Sequence, residues 1–177
     1  SPQYGGDMAV GAMAVINSVA MFIIFPIIGI NQGAQPVIGF NYGAKNYDRV
    51  KKALKMAVIA ASAISTAGWI GIHAAPGHIM RLFSKGDPAL LEAGVPGMKI
   101  MLGMFFVVGF WAITANYFQA VGKPKVSIVL NLLRQVILFI PLVIVLPLFF
   151  KLNGVWVSAP IADTLSSVIT ALVLRHE

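Results

Sequence analysis

Two charged side chains, Arg134 and Asp163, stand deep inside long apolar runs of the sequence. Placing either alone in hydrocarbon costs several kcal/mol on most scales, so such residues face a bundle interior, pair, or mark a transport path. On antiparallel neighbouring helices, Arg134 would lie roughly 12 Å and Asp163 roughly 17 Å from the same side of the membrane, at about 1.5 Å per residue. That is close enough in depth to meet. Three readings stand: a structural ion pair joining two helices, a gate or proton-sensitive latch in a transport path, or two residues that do not meet. Arg134 also shares a polar helical face with Ser127, Asn131 and Gln135, which turns that side toward protein or water. Asn116 and Gln119 repeat the pattern on the preceding apolar run, and Asn17 stands alone in the first. Asn17, Asn116, Gln119, Asn131 and Arg134 are therefore expected to face a cavity, with interhelical hydrogen bonding as the alternative for the amides.

Other chemistry has no visible apparatus. The three histidines fall in loops or at the terminus, and there is no paired carboxylate, HExxH, GxSxG or phosphate-binding loop. The absence of cysteine excludes disulfides, thiolate metal sites and a Cys nucleophile. No enzyme activity, metal or cofactor is expected.

The elements that must position these residues are membrane helices. Of 177 residues, 58% are hydrophobic and 11% charged, too few charges to cover a soluble surface but enough for one facing lipid. The net charge of +7 alone would fit a nucleic-acid surface, but the thirteen Lys and Arg are confined to short segments between apolar runs, which is the pattern of membrane topology. The spacing predicts five helices at about 8–38, 53–75, 97–121, 126–150 and 152–174. Between the first two, Ile28 to Lys55 is punctuated by Gly, Pro and Asn, and reads as a membrane exit and re-entry. A kink is expected near Phe22 to Pro26. Gly29 and Gly33, and again Gly39 and Gly43, have the GxxxG spacing that lets a neighbouring helix approach closely. In the second span Ser62, Ser65 and Thr66 share a face, their hydroxyls expected on their own backbone. His73 to Lys99 reads as an external segment in which PGHIMRLFS forms a short amphipathic piece at the interface.

Counting charges orients the chain. With residue 1 outside, Lys45, Arg49, Lys51, Lys52, Lys55, Lys123, Lys125 and Arg175 are cytoplasmic, and Arg81, Lys85, Lys99 and Lys151 are external. This bias favours an external start and a cytoplasmic end. The start without Met, and the odd number of spans, are those expected of an interior piece of a longer protein.

In five segments the chain resembles the multidrug and toxic compound extrusion (MATE) transporters. In the first, GINQGAQPVIGFNYGAKNYDRVKKAL, Gln32, Gly33, Pro36, Gly39, Asn41, Tyr42 and Gly43 carry the match to that family's punctuated helix end and following loop. IMRLFSKGDPALLEAG, ANYFQAVGKPK, NLLRQVILFIP and GVWVSAPIADTLS follow in the family's order. The resemblance implies an all-α integral membrane protein, with this chain as the second to sixth helices of the C-terminal six-helix lobe of a twelve-helix transporter. It implies an N-terminal lobe as partner, a multi-pass place in the cell (inner) membrane lipid bilayer, and no nucleic acid. It further implies efflux of small amphipathic or cationic substrates by antiport with Na⁺ or H⁺ through alternating access. Some branches bind the coupling cation with carboxylates on the seventh and tenth helices; Ile100 to Val121, which would be the tenth, has neither Asp nor Glu. The resemblance therefore implies no cation site of that type here. The alternatives are a lipid-linked oligosaccharide flippase of the wider superfamily and a non-transporting membrane scaffold.

Overall fold

The computed structural model describes residues 2–84, 88–150 and 152–176, which are almost wholly helical and contain no strand. Lys85, Asp87 and Lys151 of the expected external segments lie outside these residues.

Helix α1 (Pro2–Gly43) is 42 residues long and passes through Pro26 and Pro36 without interruption. Its apolar part, Val10–Gly43, extends past the expected boundary at residue 38. At about 1.5 Å per residue it is longer than the roughly 30 Å of a hydrocarbon core. Gly, Pro and Gln did not end it, because a backbone leaving the helix within lipid would have no partners for its polar groups. The end comes at Asn41–Asn46, where the Asn46 N–H reaches the Asn41 carbonyl (2.8 Å) and the Lys45 N–H that of Tyr42 (3.0 Å). This double closure needs a left-handed residue, here Lys45 at φ 59°. The reversal at Phe118–Lys123 repeats it with Gly122 at φ 79°.

Helix α2 (Tyr47–Ala74) starts before the expected residue 53, so Arg49, Lys51, Lys52 and Lys55 lie on its first turns rather than in a loop. Helix α3 (Pro76–Ser84) is the amphipathic piece, with Met80 and Ser84 buried and Leu82 and Phe83 exposed.

The third span is not one helix. Helix α4 (Pro88–Met101) is followed by a break, a 3₁₀ turn at Phe105–Val107, and helix α5 (Val108–Ala120), with a bend of 48°. Side chains of α2 take up carbonyls at the break: Trp69 Nε1–H donates to Gly103 O (2.7 Å) and Ser65 Oγ–H to Phe106 O (2.9 Å). A backbone interrupted at membrane depth is tolerated where neighbouring groups restore its hydrogen bonds. Ser65 Oγ also lies 3.1 Å from Ser62 O, so its hydroxyl is not confined to its own helix as expected.

Helix α6 (Pro124–Leu132), a π-helical segment (Leu133–Phe139) and helix α7 (Ile140–Phe150) form the fourth span, and helix α8 (Leu152–Arg175) the fifth. In the π segment the Ile140 N–H reaches Gln135 O, five residues back. Pro141 follows, and its ring would crowd the carbonyl four residues earlier in a regular helix; the wider turn relieves that clash.

Three buried clusters run along the bundle. Ala12, Ile16, Ile72, Met80 and Met98 fill one end, and Ile27, Ala57, Ala61 and Ile113 form a smaller cluster between α1, α2 and α5. Ile38, Val50, Phe118, Val121 and Leu130 fill the other end, with Val173 and Leu174 packed against them. The α1–α2 turn, the α5–α6 turn and the end of α8 thus share one end of the bundle, bringing together the eight cations assigned to one side. Arg81 and Lys99 belong to elements packed at the opposite end.

The glycine expectation needs correction. Among the described residues a Cβ at Gly29, Gly33 or Gly43 would meet nothing within 4 Å, whereas one at Gly39 would lie against the Ala120 carbonyl. The close approaches lie elsewhere, at Gly109 against the Ala61 carbonyl and Ser65 Oγ, and at Gly154 against the Leu146–Pro147 backbone. The exposed flank of α1 carries Phe22, Phe25, Val37 and Phe40 beside those glycines, a surface suited to lipid or another protein.

Candidate functional site

The elements converge on the charge pair. Arg134 is the second residue of the π segment and Asp163 lies near the middle of α8. Arg134 Nε–H donates to Asp163 Oδ1 at 2.8 Å, and Nη2 lies 2.7 Å from the same oxygen. The Asp163 side chain is 6% exposed and that of Arg134 28%. The carboxylate therefore sits behind and the guanidinium in front. Its carbon stands 4.6 Å from the ring centroid of Trp111 on α5, a cation–π arrangement that strengthens where water is excluded.

In front of the guanidinium is a cavity of about 260 Å³ between α1, α5 and the π segment. Ile24, Ile27, Ile28 and Asn31 form its α1 wall, Val108, Trp111, Ala112 and Asn116 its α5 wall. The α1 residues recur at i, i+3, i+4 and i+7, one face of a continuous helix. The Asn116 amide donates to Ala112 O (2.8 Å) on its own helix, which leaves its carbonyl oxygen as the group to offer. Behind the pair, α8 presents Ser158, Ser166, Ser167 and Thr170, all buried. Ser158 donates to Gly154 O (2.7 Å) and Ser166 to Asp163 O (3.1 Å), fixing hydroxyls along the carboxylate's own helix.

Of the residues expected to face a cavity, Arg134 and Asn116 line this one, and Arg134 and Asp163 meet. Asn131, Gln119 and Asn17 do not join them. Asn131 donates to Ser127 O (2.8 Å), one turn back on α6. Gln119 is exposed nearly one turn beyond Asn116. Asn17 lies in a separate open depression with Phe22, Phe25 and Phe83. Gln135 is exposed and does not line the cavity. Within the segment that carried the family resemblance, Gln32, Gly33, Pro36 and Gly43 are exposed and Gly39 and Tyr42 half-buried. Asn41 is buried, its amide donating to Val37 O (2.8 Å) at the helix end.

Two contributors escaped the sequence reading. Asn31 lay in the stretch read as a membrane exit, although its spacing from Ile24, Ile27 and Ile28 was that of a continuing helical face. Trp111 was one of the span aromatics read as packing or lipid-facing, and nothing local marked it as the platform of a distant arginine. The site has no acid/base pair open to a reactant. It can bind and it can respond to a change in the pairing of Arg134.

A family model described as MatE matches residues 3–145. The Multidrug export protein MepA of Staphylococcus aureus is 24% identical over 169 residues, covering 96% of this chain and 37% of that protein. A crystal structure of a MATE protein in complex with MaL6 superposes with a TM-score of 0.89 at 21% identity, covering 97% of this chain and 39% of that one. An outward-facing conformation of a multidrug resistance MATE family transporter of the MOP superfamily gives 0.88 at 20% identity, with the same coverage. The chain thus spans well under half the length of the relatives it matches.

Proposed function

The chain belongs to the MatE family, and from that premise we propose that it is part of the C-terminal lobe of a secondary active efflux protein. In this reading the whole protein exports amphipathic compounds, organic cations among them, in exchange for Na⁺ or H⁺, and does so by alternating access against an N-terminal lobe. It acts as a transporter and not as an enzyme. It lies in the cell (inner) membrane with the residue 1 end external and the residue 177 end cytoplasmic, the orientation in which the basic end of the bundle faces inward.

The observation that carries this reading is an intramembrane ion pair at the wall of an apolar cavity between helices. Charges at such depth are costly and are retained where substrate or ions pass. Transporter sites of this kind are built from interrupted helices, and the π segment contributes Arg134 to the wall of this one. A flippase for anionic lipid-linked sugars calls for a strongly cationic cavity; the lining here is mostly apolar with Arg134 as its one cation, which favours export of amphipaths.

Expression of the whole protein in a pump-deficient host should lower accumulation of a cationic dye, and unchanged accumulation across a panel of dyes would sink the efflux reading. Since the chain has no cysteine, Asn46→Cys should label only from the cytoplasmic side, and labelling from outside would reverse the orientation.

A further inference from the structure

We propose that the cavity before Arg134 takes the carboxylate end of an amphipathic, zwitterionic or anionic compound; the inference rests on the substrate-cavity reading above. The charge of the pair is not shared evenly with the cavity. Arg134 lines it, while Asp163, at 6% side-chain exposure, does not. A ligand therefore meets the positive end of a buried dipole. Both guanidinium bonds to the carboxylate use Nε and Nη2, so the Nη1 edge retains its donors for an incoming oxygen. Trp111 holds the guanidinium plane from one face and so fixes the direction of that edge. Charge-assisted hydrogen bonds from a pre-oriented guanidinium favour a carboxylate over an ester or a cation.

The other walls fit the rest of such a molecule. The Asn31 side chain lines the cavity and Asn116 offers its carbonyl oxygen, so a neutral donor or amide beside the carboxylate can be satisfied. Ile24, Ile28 and Val108 supply the apolar surface. A purely cationic head finds no exposed carboxylate here, and would bind by its apolar body alone.

The test uses the whole protein, purified and titrated with rhodamine B, a zwitterion at neutral pH, and with rhodamine B ethyl ester, whose carboxylate is masked. Fluorescence anisotropy should show the acid binding on the order of tenfold tighter than the ester. The double variant Arg134→Gln with Asp163→Asn removes both charges without stranding either, and should abolish the difference. Equal affinities in the unmodified protein, or a preference that survives in the double variant, would overturn the inference. Ile28→Trp, outside the ion pair, partly fills the cavity and should weaken rhodamine B binding; unchanged binding also overturns it. A carboxylate preference in binding without ion-driven efflux of either dye supports the inference and refutes antiport, so the two failures are separable.

Discussion

Two seams in this bundle face the same physical problem and solve it differently. At the α2–α5 seam a span is broken at Leu102–Met104, and freed carbonyls are taken up by neutral donors, Trp69 Nε1–H and Ser65 Oγ–H. Gly109 lets the two backbones close until the Ala61 carbonyl lies where a side chain would begin. At the seam between the π segment and α8 the ladder is stretched instead of broken, and an ion pair joins the helices with a cavity in front of it. A neutral donor on a rigid ring, a short hydroxyl and a close backbone contact suit one arrangement only. An arginine on a long side chain, half open to a cavity, can be drawn to another partner. The first seam reads as scaffold and the second as the part that answers a ligand.

The largest effect should separate them. Asp163→Ala strands the Arg134 cation at membrane depth, which is expected to destabilise by about 3 kcal/mol or more, since breaking one partner of a buried pair leaves an uncompensated charge. Thermal unfolding of the purified whole protein would measure that, and dye efflux per folded molecule should fall as well. Arg134→Asp combined with Asp163→Arg should restore part of both. No rescue by the exchange would show that the pair is not what joins these helices.

Gly109→Val attacks the other seam. Its added atoms would collide with the Ala61 backbone and Ser65 Oγ, and overpacking of this kind costs about 1–3 kcal/mol. Stability should fall while the acid-over-ester preference of the remaining folded protein is unchanged. A lost preference with normal stability would break the division between scaffold and responsive seam. Gly33→Ala serves as the control, because a Cβ there meets nothing within this chain, and its effect on the lobe should be within about 0.5 kcal/mol.

The contrast between Gly33 and Gly109 also shows what the sequence could and could not convey. GxxxG spacing marks small residues but not what lies opposite, and opposition depends on helix pairing that one sequence does not encode locally. Four of the expected spans are long apolar helices, and the other is a span only if the bent α4–α5 pair is taken as one; the basic residues group at one end of the bundle. Helix ends were less legible. Gly, Pro and Asn punctuate a chain in water, but in lipid they remain helical because no solvent rewards their exit, and so α1 ran on to Gly43 and Asn31 was hidden in an apparent loop. The left-handed turn at Lys45 gave no signal, since Gly is the residue expected there and Gly122 is what the equivalent reversal uses. Arg134 and Asp163 were legible because an intramembrane charge stands out on its own. Trp111 was not, because its role exists only through a residue on another helix.

Trp69→Phe probes the neutral seam with less steric disturbance. It keeps the ring and removes the donor that Gly103 O accepts at 2.7 Å. Leaving a partly buried carbonyl unsatisfied costs about 1–2 kcal/mol, so the melting temperature should fall moderately with ligand selectivity intact. If selectivity changes instead, the break at Leu102–Met104 takes part in the response, and the seam is no passive support.

Ser65→Ala is the finest of these tests. The hydroxyl bridges Ser62 O on its own helix and Phe106 O across the seam. Its loss leaves Phe106 O without that donor, but interhelical hydrogen bonds in membranes average only about 0.6 kcal/mol, because the separated helices also find partners. A drop of about 0.5 kcal/mol or less is therefore expected in unfolding experiments. A much larger drop would mean that the hydroxyl, rather than the Gly109 contact or Trp69, is what holds the broken span in place, and the α2–α5 seam would then resemble its charged counterpart in resting on one polar contact.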